Sequence, residues 1–131
     1  MSFYLLGLGS NIDPHRHLQQ VQQPLAELGP LLEQSAVLET QAEGDNFSGT
    51  FCNQLVILRC ELPPTLLKQK LQRIEVQLGR EPKNPARKHK DRTIDIDILG
   101  RADSIEHCRQ LPLEDDYYQQ VQRQWLEKVC S

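Results

Sequence analysis

One short stretch of alternating isoleucine and aspartate constrains the fold of this chain more than any other segment. Residues 94–99 read Ile-Asp-Ile-Asp-Ile-Leu. Because successive side chains of a β-strand point to opposite faces of the sheet, the three isoleucines share one face, and Asp95 and Asp97 share the other. The pattern therefore predicts a strand buried on its apolar side, with two carboxylates about 7 Å apart along the opposite side.

The order of the other elements predicts an α+β fold. Short apolar or β-branched runs alternate with helical stripes of leucine, isoleucine and valine. We expect strands over residues 2–8, 36–40, 51–62 and 94–99, and helices over residues 14–28, 63–79 and 118–129. Pro24 falls inside the first helix and predicts a kink or break there.

The order β-α-β-β-α-β is that of a ferredoxin-like sandwich. Such a sandwich has a four-stranded, mostly antiparallel sheet with both helices on one face. In this chain a long basic loop precedes the last strand, and a C-terminal helix follows it. The second face of the sheet is then left for loops and a ligand.

Composition narrows the class of protein. With 131 residues and a net charge of −3, we expect a single domain over residues 1–131, acting as a cytoplasmic monomer. The charge gives no drive towards nucleic acid. No apolar run approaches the roughly 20 residues of a membrane span, and the first residues lack the basic start of a signal peptide. We therefore expect neither a nucleic-acid partner nor a membrane partner.

Three other patterns carry no clear chemistry. The chain has four widely spaced cysteines, Cys52, Cys60, Cys108 and Cys130. Without a C-x-x-C pair, this spacing disfavours a structural zinc site and a disulfide scaffold. His15 and His17 could be a ligand pair, but no third ligand is evident, and we expect surface residues. Gly7 and Gly9 lack the spacing of a dinucleotide fingerprint, so a tight turn is expected.

Two neighbouring features point to phosphate chemistry. Carboxylates on one strand face can converge on hard cations such as Mg²⁺, the alternative being a solvent face that carries two acids. Residues 80–92 hold six basic and two acidic residues, a local net charge of +4, together with two prolines. Basic side chains beside a metal-binding strand suit phosphoryl transfer. The alternatives are a solvated loop or a nucleic-acid patch, although no aromatic residues are interleaved.

Several motifs, in this order and spacing, resemble the 6-hydroxymethyl-7,8-dihydropterin pyrophosphokinase family. The matching segments are Gly9-Ser10-Asn11, Thr40 to Gly44, Asn53, Gln72-Arg73-Ile74-Glu75, Gly79-Arg80 and Arg92 to Ile98. The R-x-x-D-x-D core within the last segment is the most specific of them. The resemblance covers about residues 2–100.

The resemblance implies a ferredoxin-like fold and transfer of pyrophosphate from ATP to the hydroxymethyl group of a reduced pterin. This step of folate biosynthesis uses two Mg²⁺ ions. The implied catalytic residues are Asp95 and Asp97, which would hold the metal ions, and Arg80 and Arg92, which would contact the ATP phosphates. The other implied nucleotide-binding residues are Gln72, Lys88 and Ile98.

The implied pterin-binding residues are Asn53, Thr40, Phe51 and Gly44. An asparagine side chain offers both a donor and an acceptor to the mixed polar edge of a pterin, and a phenyl ring can pack on a flat heterocycle. Thr40 and Phe51 could instead be ordinary sheet residues, and Gln72 could be a solvent-exposed helix position.

The chain departs from the family pattern towards its C-terminus. Pro112 is followed by Leu-Glu-Asp-Asp where the family has a Pro-His pair, and no Arg-x-Phe follows. Residues 95–131 contain eight acidic and four basic residues, where the family places ATP-binding positive charge. An alternative function is therefore a divergent paralogue that binds pterin or nucleotide with weak or no catalysis.

Overall fold

The apolar run near the N-terminus forms the central strand of an antiparallel sheet. The computed structural model describes residues 2–41, 50–79 and 94–130. The strands are β1 (Phe3–Ser10), β2 (Leu31–Gln34), β3 (Leu38–Gln41), β4 (Thr50–Arg59) and β5 (Asp95–Ala102). The helices are α1 (Pro14–Gln20), α2 (Gln22–Leu28), α3 (Pro64–Gln77), α4 (Ile105–Arg109) and α5 (Asp116–Cys130).

The sheet has β1 between β4 and β5, and both neighbours run antiparallel to it. On the outer side of β4, β2 pairs with one half of the strand and β3 with the other. The prediction of a single strand over residues 36–40 therefore missed β2. The interruption centres on Ser35, whose backbone N–H donates to Leu55 O while its hydroxyl accepts from Leu55 N–H.

The larger core lies on the face of the sheet that α1, α2 and α3 cover. Its helix residues are Leu18, Val21, Leu25, Leu67, Leu71 and Ile74, which pack on the even-numbered strand residues. The expectation that both predicted helices share one face is confirmed. The first helix is split at Val21 rather than at Pro24. Pro24 then falls in the first turn of α2, where its missing N–H has no intrahelical acceptor to lose.

A second, smaller core lies on the opposite face. There Tyr118, Val121 and Trp125 of α5 pack on Leu5 and Ile57 of the sheet. The expectation that this face is left for loops and a ligand is wrong for the part that α5 and α4 cover. α4 was not predicted because a five-residue helix carries too little apolar periodicity. In the described part of the chain, no helix is long and apolar enough to cross a membrane.

Candidate active site

The second face also carries a row of functional side chains from three strands. Gly9 of β1 pairs with Asn53 of β4 on one side and with Asp95 of β5 on the other. Directly opposed residues in an antiparallel sheet share a face, so Asn53 and Asp95 point to the same side. Two strand spacings separate their backbones by about 10 Å. The register therefore brings the predicted pterin-binding and metal-binding residues to one surface.

Gly9 places no side chain in the middle of this row. A Cβ atom at Gly9 would lie 3.0 Å from Asn53 Oδ1 and 3.8 Å from Phe51 Cε1. Any larger side chain would fill the space between Asn53 and Asp95. Gly7 and Gly9 both lie within β1, so the expectation of a tight turn at this pair is wrong. Their small size lets neighbouring side chains approach the β1 backbone closely on this face of the sheet.

Asp97 of β5 pairs with Gly7 of β1, two residues along the strand from the pair of Asp95 with Gly9. Burial raises the pKa of Asp97 from 3.8 to about 7, and the charge of Asp95, a hydrogen bond to Asp95 and the charges of Glu75 and Asp115 act in the same direction. The two strand aspartates therefore lie close enough to share a proton. Crowded carboxylates of this kind are relieved by protonation or by a bound cation.

Glu75 fixes the outer edge of this strand. It is a buried residue of α3, and its Oε2 accepts a hydrogen bond of 2.8 Å from Ile96 N–H. The contact satisfies an edge-strand donor that lies between the two aspartates in sequence. Its matching motif alone assigns Glu75 no role. The sequence signal is an acidic residue within the apolar stripe of α3, four residues after Leu71.

Comparison with known proteins shows which family has this sequence. The profile of the 7,8-dihydro-6-hydroxymethylpterin-pyrophosphokinase family matches residues 5–124. The chain belongs to this family. The resemblance drawn from the sequence motifs is thereby confirmed, and the match extends beyond them into α5.

Two relatives in the pyrophosphokinase family show how far the likeness reaches. Two strains of Porphyromonas gingivalis carry a 2-amino-4-hydroxy-6-hydroxymethyldihydropteridine pyrophosphokinase that is 40% identical to this chain over 101 residues. That match covers 76% of this chain and 69% of the relative. A protein of the same name from Aquifex aeolicus is 32% identical over 106 residues, covering 80% of this chain and 64% of the relative.

The structure places several other predicted pyrophosphokinase residues. Phe51 is half-buried beside Gly9, and the backbone of Thr40 pairs with Phe51 in register. Gln72 is exposed on α3, about one turn before Glu75. Ile98 packs on the core beneath α3, so its side chain points to the face opposite Asp97. Gly44, Arg80, Lys88 and Arg92 lie outside the described residues.

Two tyrosines of α5 also reach the site, and sequence reasoning could not place them. Tyr118 is buried, and its ring lies so close to β1 that a Cβ at Gly7 would fall 2.4 Å from Tyr118 Cζ. Burial raises the pKa of Tyr118, and the charges of Asp97 and Asp95 add to this. Burial raises the pKa of Tyr117 to about 12, with further contributions from Asp115, Asp97 and Asp95. The start of α5 therefore closes one side of the aspartate pair.

The donor set of the aspartate pair suits a hard divalent cation. Both side chains offer only oxygen, which Mg²⁺ prefers. Burial and the nearby charges of Asp95, Glu75 and Asp115 raise the pKa of Asp97, and a bound cation would offset this clustering of acidic groups. The residues present therefore fit Mg²⁺.

Proposed function

We propose that this chain uses Mg²⁺ and ATP to transfer a pyrophosphoryl group to the hydroxymethyl group of 6-hydroxymethyl-7,8-dihydropterin, with AMP as the second product. The observation that carries the proposal is the row of Asn53, Gly9 and Asp95 on one sheet face. The row lies in a member of the pyrophosphokinase family. It gives a binding group for each substrate, with a glycine between the two.

In this proposal Asp95 and Asp97 hold two Mg²⁺ ions that neutralise charge on the ATP phosphates. The main contribution of the protein is to keep the two carboxylates crowded before ATP arrives. Glu75 supports this by holding the β5 backbone at Ile96. An aspartate pair already fixed in place pays little conformational entropy when the metal and nucleotide bind.

The pterin is assigned to the other end of the row. The Asn53 amide can both donate to and accept from the polar edge of a pterin, and the Phe51 ring can pack against the heterocycle. Thr40 and Gly44 complete the proposed pterin pocket. Because Gly9 has no side chain to stand between Asn53 and Asp95, the hydroxymethyl group would face the phosphates above Asp95 in this proposal.

The proposed ATP contacts come mostly from basic residues. Arg80, Lys88 and Arg92 would neutralise the phosphates, and Gln72 and Ile98 would contact the nucleotide. Arg80, Arg92, Gln72 and Ile98 lie in segments that match the family motifs, and Lys88 lies in the basic stretch of residues 80–92. In this proposal the hydroxyl oxygen of the pterin attacks the β-phosphorus of ATP and loses its proton to solvent, the bond from that phosphorus to the α-phosphate oxygen breaks, and AMP leaves with that oxygen.

The experiment is a product assay with purified protein, ATP, Mg²⁺ and 6-hydroxymethyl-7,8-dihydropterin. We expect AMP and the pterin diphosphate to form in equal amounts, and AMP to be absent when the pterin is omitted. Asp97→Asn is the matched control, since it keeps the size of the side chain and removes its charge. No AMP from the wild-type chain, where an active relative turns over, would overturn the proposal of catalysis.

A second candidate is binding of the same ligands with little turnover. The observation that favours it is the start of α5, which brings the negative charge of Asp115 towards Asp97. A carboxylate there opposes the approach of phosphate. Calorimetry with pterin and a non-hydrolysable ATP analogue distinguishes the candidates, because binding without AMP formation supports the second and absence of binding rejects both.

A further inference from the structure

A histidine, a glutamate and a cysteine meet on the face of the sheet away from Asp95 and Asn53. His15 Nε2 lies 2.6 Å from Glu39 Oε1, and Cys52 Sγ lies 3.9 Å from His15 Nε2. One ligand atom from each residue falls within 4.8 Å of the other two. Three elements that are distant in sequence supply these groups, so their convergence is a product of the fold.

The sheet register explains two of the three positions. Glu39 of β3 pairs directly with Cys52 of β4, so both side chains point to the same face. Cys52 lies between Phe51 and Asn53 in sequence and therefore points away from the pterin side of the sheet. The first turn of α1 then places His15 over the pair. The cluster is thus separate from the aspartate pair of the proposed active site.

We propose that His15, Glu39 and Cys52 bind a zinc-like divalent transition-metal ion. A thiolate, an imidazole and a carboxylate are the ligand types that Zn²⁺ takes, and three such ligands with one open position is a common coordination. The thiolate makes the cluster unsuited to Mg²⁺, which prefers oxygen. The cluster and the aspartate pair therefore differ in the metal that they select.

Two of the three distances need only small adjustments to meet tetrahedral coordination, and the third, from Glu39 to Cys52, is within 4.8 Å. Zinc bonds of about 2.0 Å to nitrogen and oxygen and about 2.3 Å to sulfur set N···O near roughly 3.3 Å and N···S near roughly 3.5 Å. His15 and Glu39 would therefore move apart by about 0.7 Å, and His15 and Cys52 together by about 0.4 Å. The side chains of His15 and Glu39 are 66% and 57% exposed, so both can shift without moving the core.

Metal-free thiol chemistry is a poor alternative for this cluster. Cys52 is completely buried, and burial together with the charge of Glu39 raises the pKa of its thiol. A protonated, buried thiol is a weak nucleophile and resists oxidation. An ion at this position would instead link α1, β3 and β4. Glu39 and Cys52 are the sequence neighbours of Thr40 in β3 and Phe51 in β4.

The test is titration of the metal-free wild-type chain with Co²⁺, followed by ultraviolet and visible absorption. We expect a sulfur-to-cobalt charge-transfer band and the visible bands of tetrahedral cobalt, both removed by stoichiometric Zn²⁺ and unaffected by excess Mg²⁺. His15→Ala should weaken Co²⁺ binding at least about 10-fold. The exposed position of His15 makes this variant safe for folding.

Two further variants identify the sulfur ligand. Cys52→Ser should abolish the charge-transfer band, whereas Cys108→Ser, at a buried cysteine of the other core, should retain it. If Cys52→Ser does not fold, the titration of His15→Ala decides the question alone. Absence of the band in the wild-type chain, or unchanged Co²⁺ affinity in His15→Ala, would overturn the proposal. Because Mg²⁺ and ATP take no part, failure here leaves the pyrophosphokinase proposal standing.

Discussion

Asp95 and Asn53 lie in one cross-strand row, on either side of Gly9 and on the same face of the sheet. Two strand spacings separate their backbones by about 10 Å. Gly9, which has no side chain, lies between the residue with the carboxylate and the residue with the amide. In the proposed function, this site would hold two ligands side by side.

Asp97→Asn should abolish Mg²⁺-dependent turnover while preserving the fold. The substitution removes one of two crowded carboxylates, and loss of metal assistance costs on the order of 10³-fold in kcat/KM. Thermal melts should show Mg²⁺ with an ATP analogue stabilising the wild-type chain and leaving the variant unchanged. Collapse of the metal-free variant at neutral pH would instead assign the aspartate pair a structural role.

The raised pKa of Asp97 predicts how the stability of the metal-free protein depends on pH. The pKa of Asp97 is raised from 3.8 to about 7, so between these values the folded protein holds a proton that the unfolded chain has released. The contribution of Asp97 to stability is therefore fully present below about pH 4 and is lost as the pH rises through about 7. The difference in melting temperature between Asp97→Asn and wild type should grow over this range, and a constant difference would contradict the raised pKa.

Gly7→Ala should destabilise the protein by about 1–3 kcal/mol, because the new methyl group meets the Tyr118 ring. Urea denaturation measures the cost. In a Tyr118→Ala background the same substitution should cost much less. Gly100→Ala is the matched control, since its methyl group meets the flexible end of Leu111. Equal costs in both backgrounds would show that Tyr118 does not pack over Gly7.

Glu75→Ala should cost about 1–3 kcal/mol, because the Ile96 N–H loses its acceptor at a buried edge. Glu75→Gln retains an acceptor oxygen, so it should cost less. It also removes one of the charges that raise the pKa of Asp97, so that pKa should fall. Carboxyl titration followed by NMR checks the second outcome, and an unchanged Asp97 titration in Glu75→Gln would count against the electrostatic coupling.

Asn53→Ala should weaken binding of the pterin and leave binding of the nucleotide unchanged. We expect weaker pterin binding by at least about 10-fold, the cost of roughly 1.4 kcal/mol for lost hydrogen bonds, with unchanged affinity for the ATP analogue. Calorimetry with each ligand alone measures both constants. Equal weakening of pterin and nucleotide would mean that Asn53 supports the fold of the site rather than the pterin edge.

The strand-level features of the site could be predicted from the sequence. The alternation around Asp95 and Asp97 assigns the two carboxylates to one face, because period two is a local property of a strand. The same local reasoning gave the stripe of α3 and its packing on the sheet. Asn53 was found through a family motif, and its position opposite Gly9 required the strand register.

Contacts between distant segments could not be predicted. The sequence predicts a helix over residues 118–129, but the sheet face and the strand position that Tyr118 covers depend on how the chain folds back after β5. The link from Glu75 to Ile96 has the same long-range character. The meeting of His15 with Glu39 and Cys52 is a third case, in which a histidine expected to be an ordinary surface residue gained two potential co-ligands from the fold.

The central claim is that metal and pterin bind side by side on the face shared by Asp95 and Asn53. Replacing Mg²⁺ by Mn²⁺ and recording the proton NMR relaxation of bound 6-hydroxymethyl-7,8-dihydropterin, with an ATP analogue present, tests it directly. We predict strong paramagnetic relaxation of the hydroxymethyl protons, consistent with a separation on the order of 10 Å or less, and its loss in Asp97→Asn. Pterin that binds without relaxation from Mn²⁺ would contradict the claim.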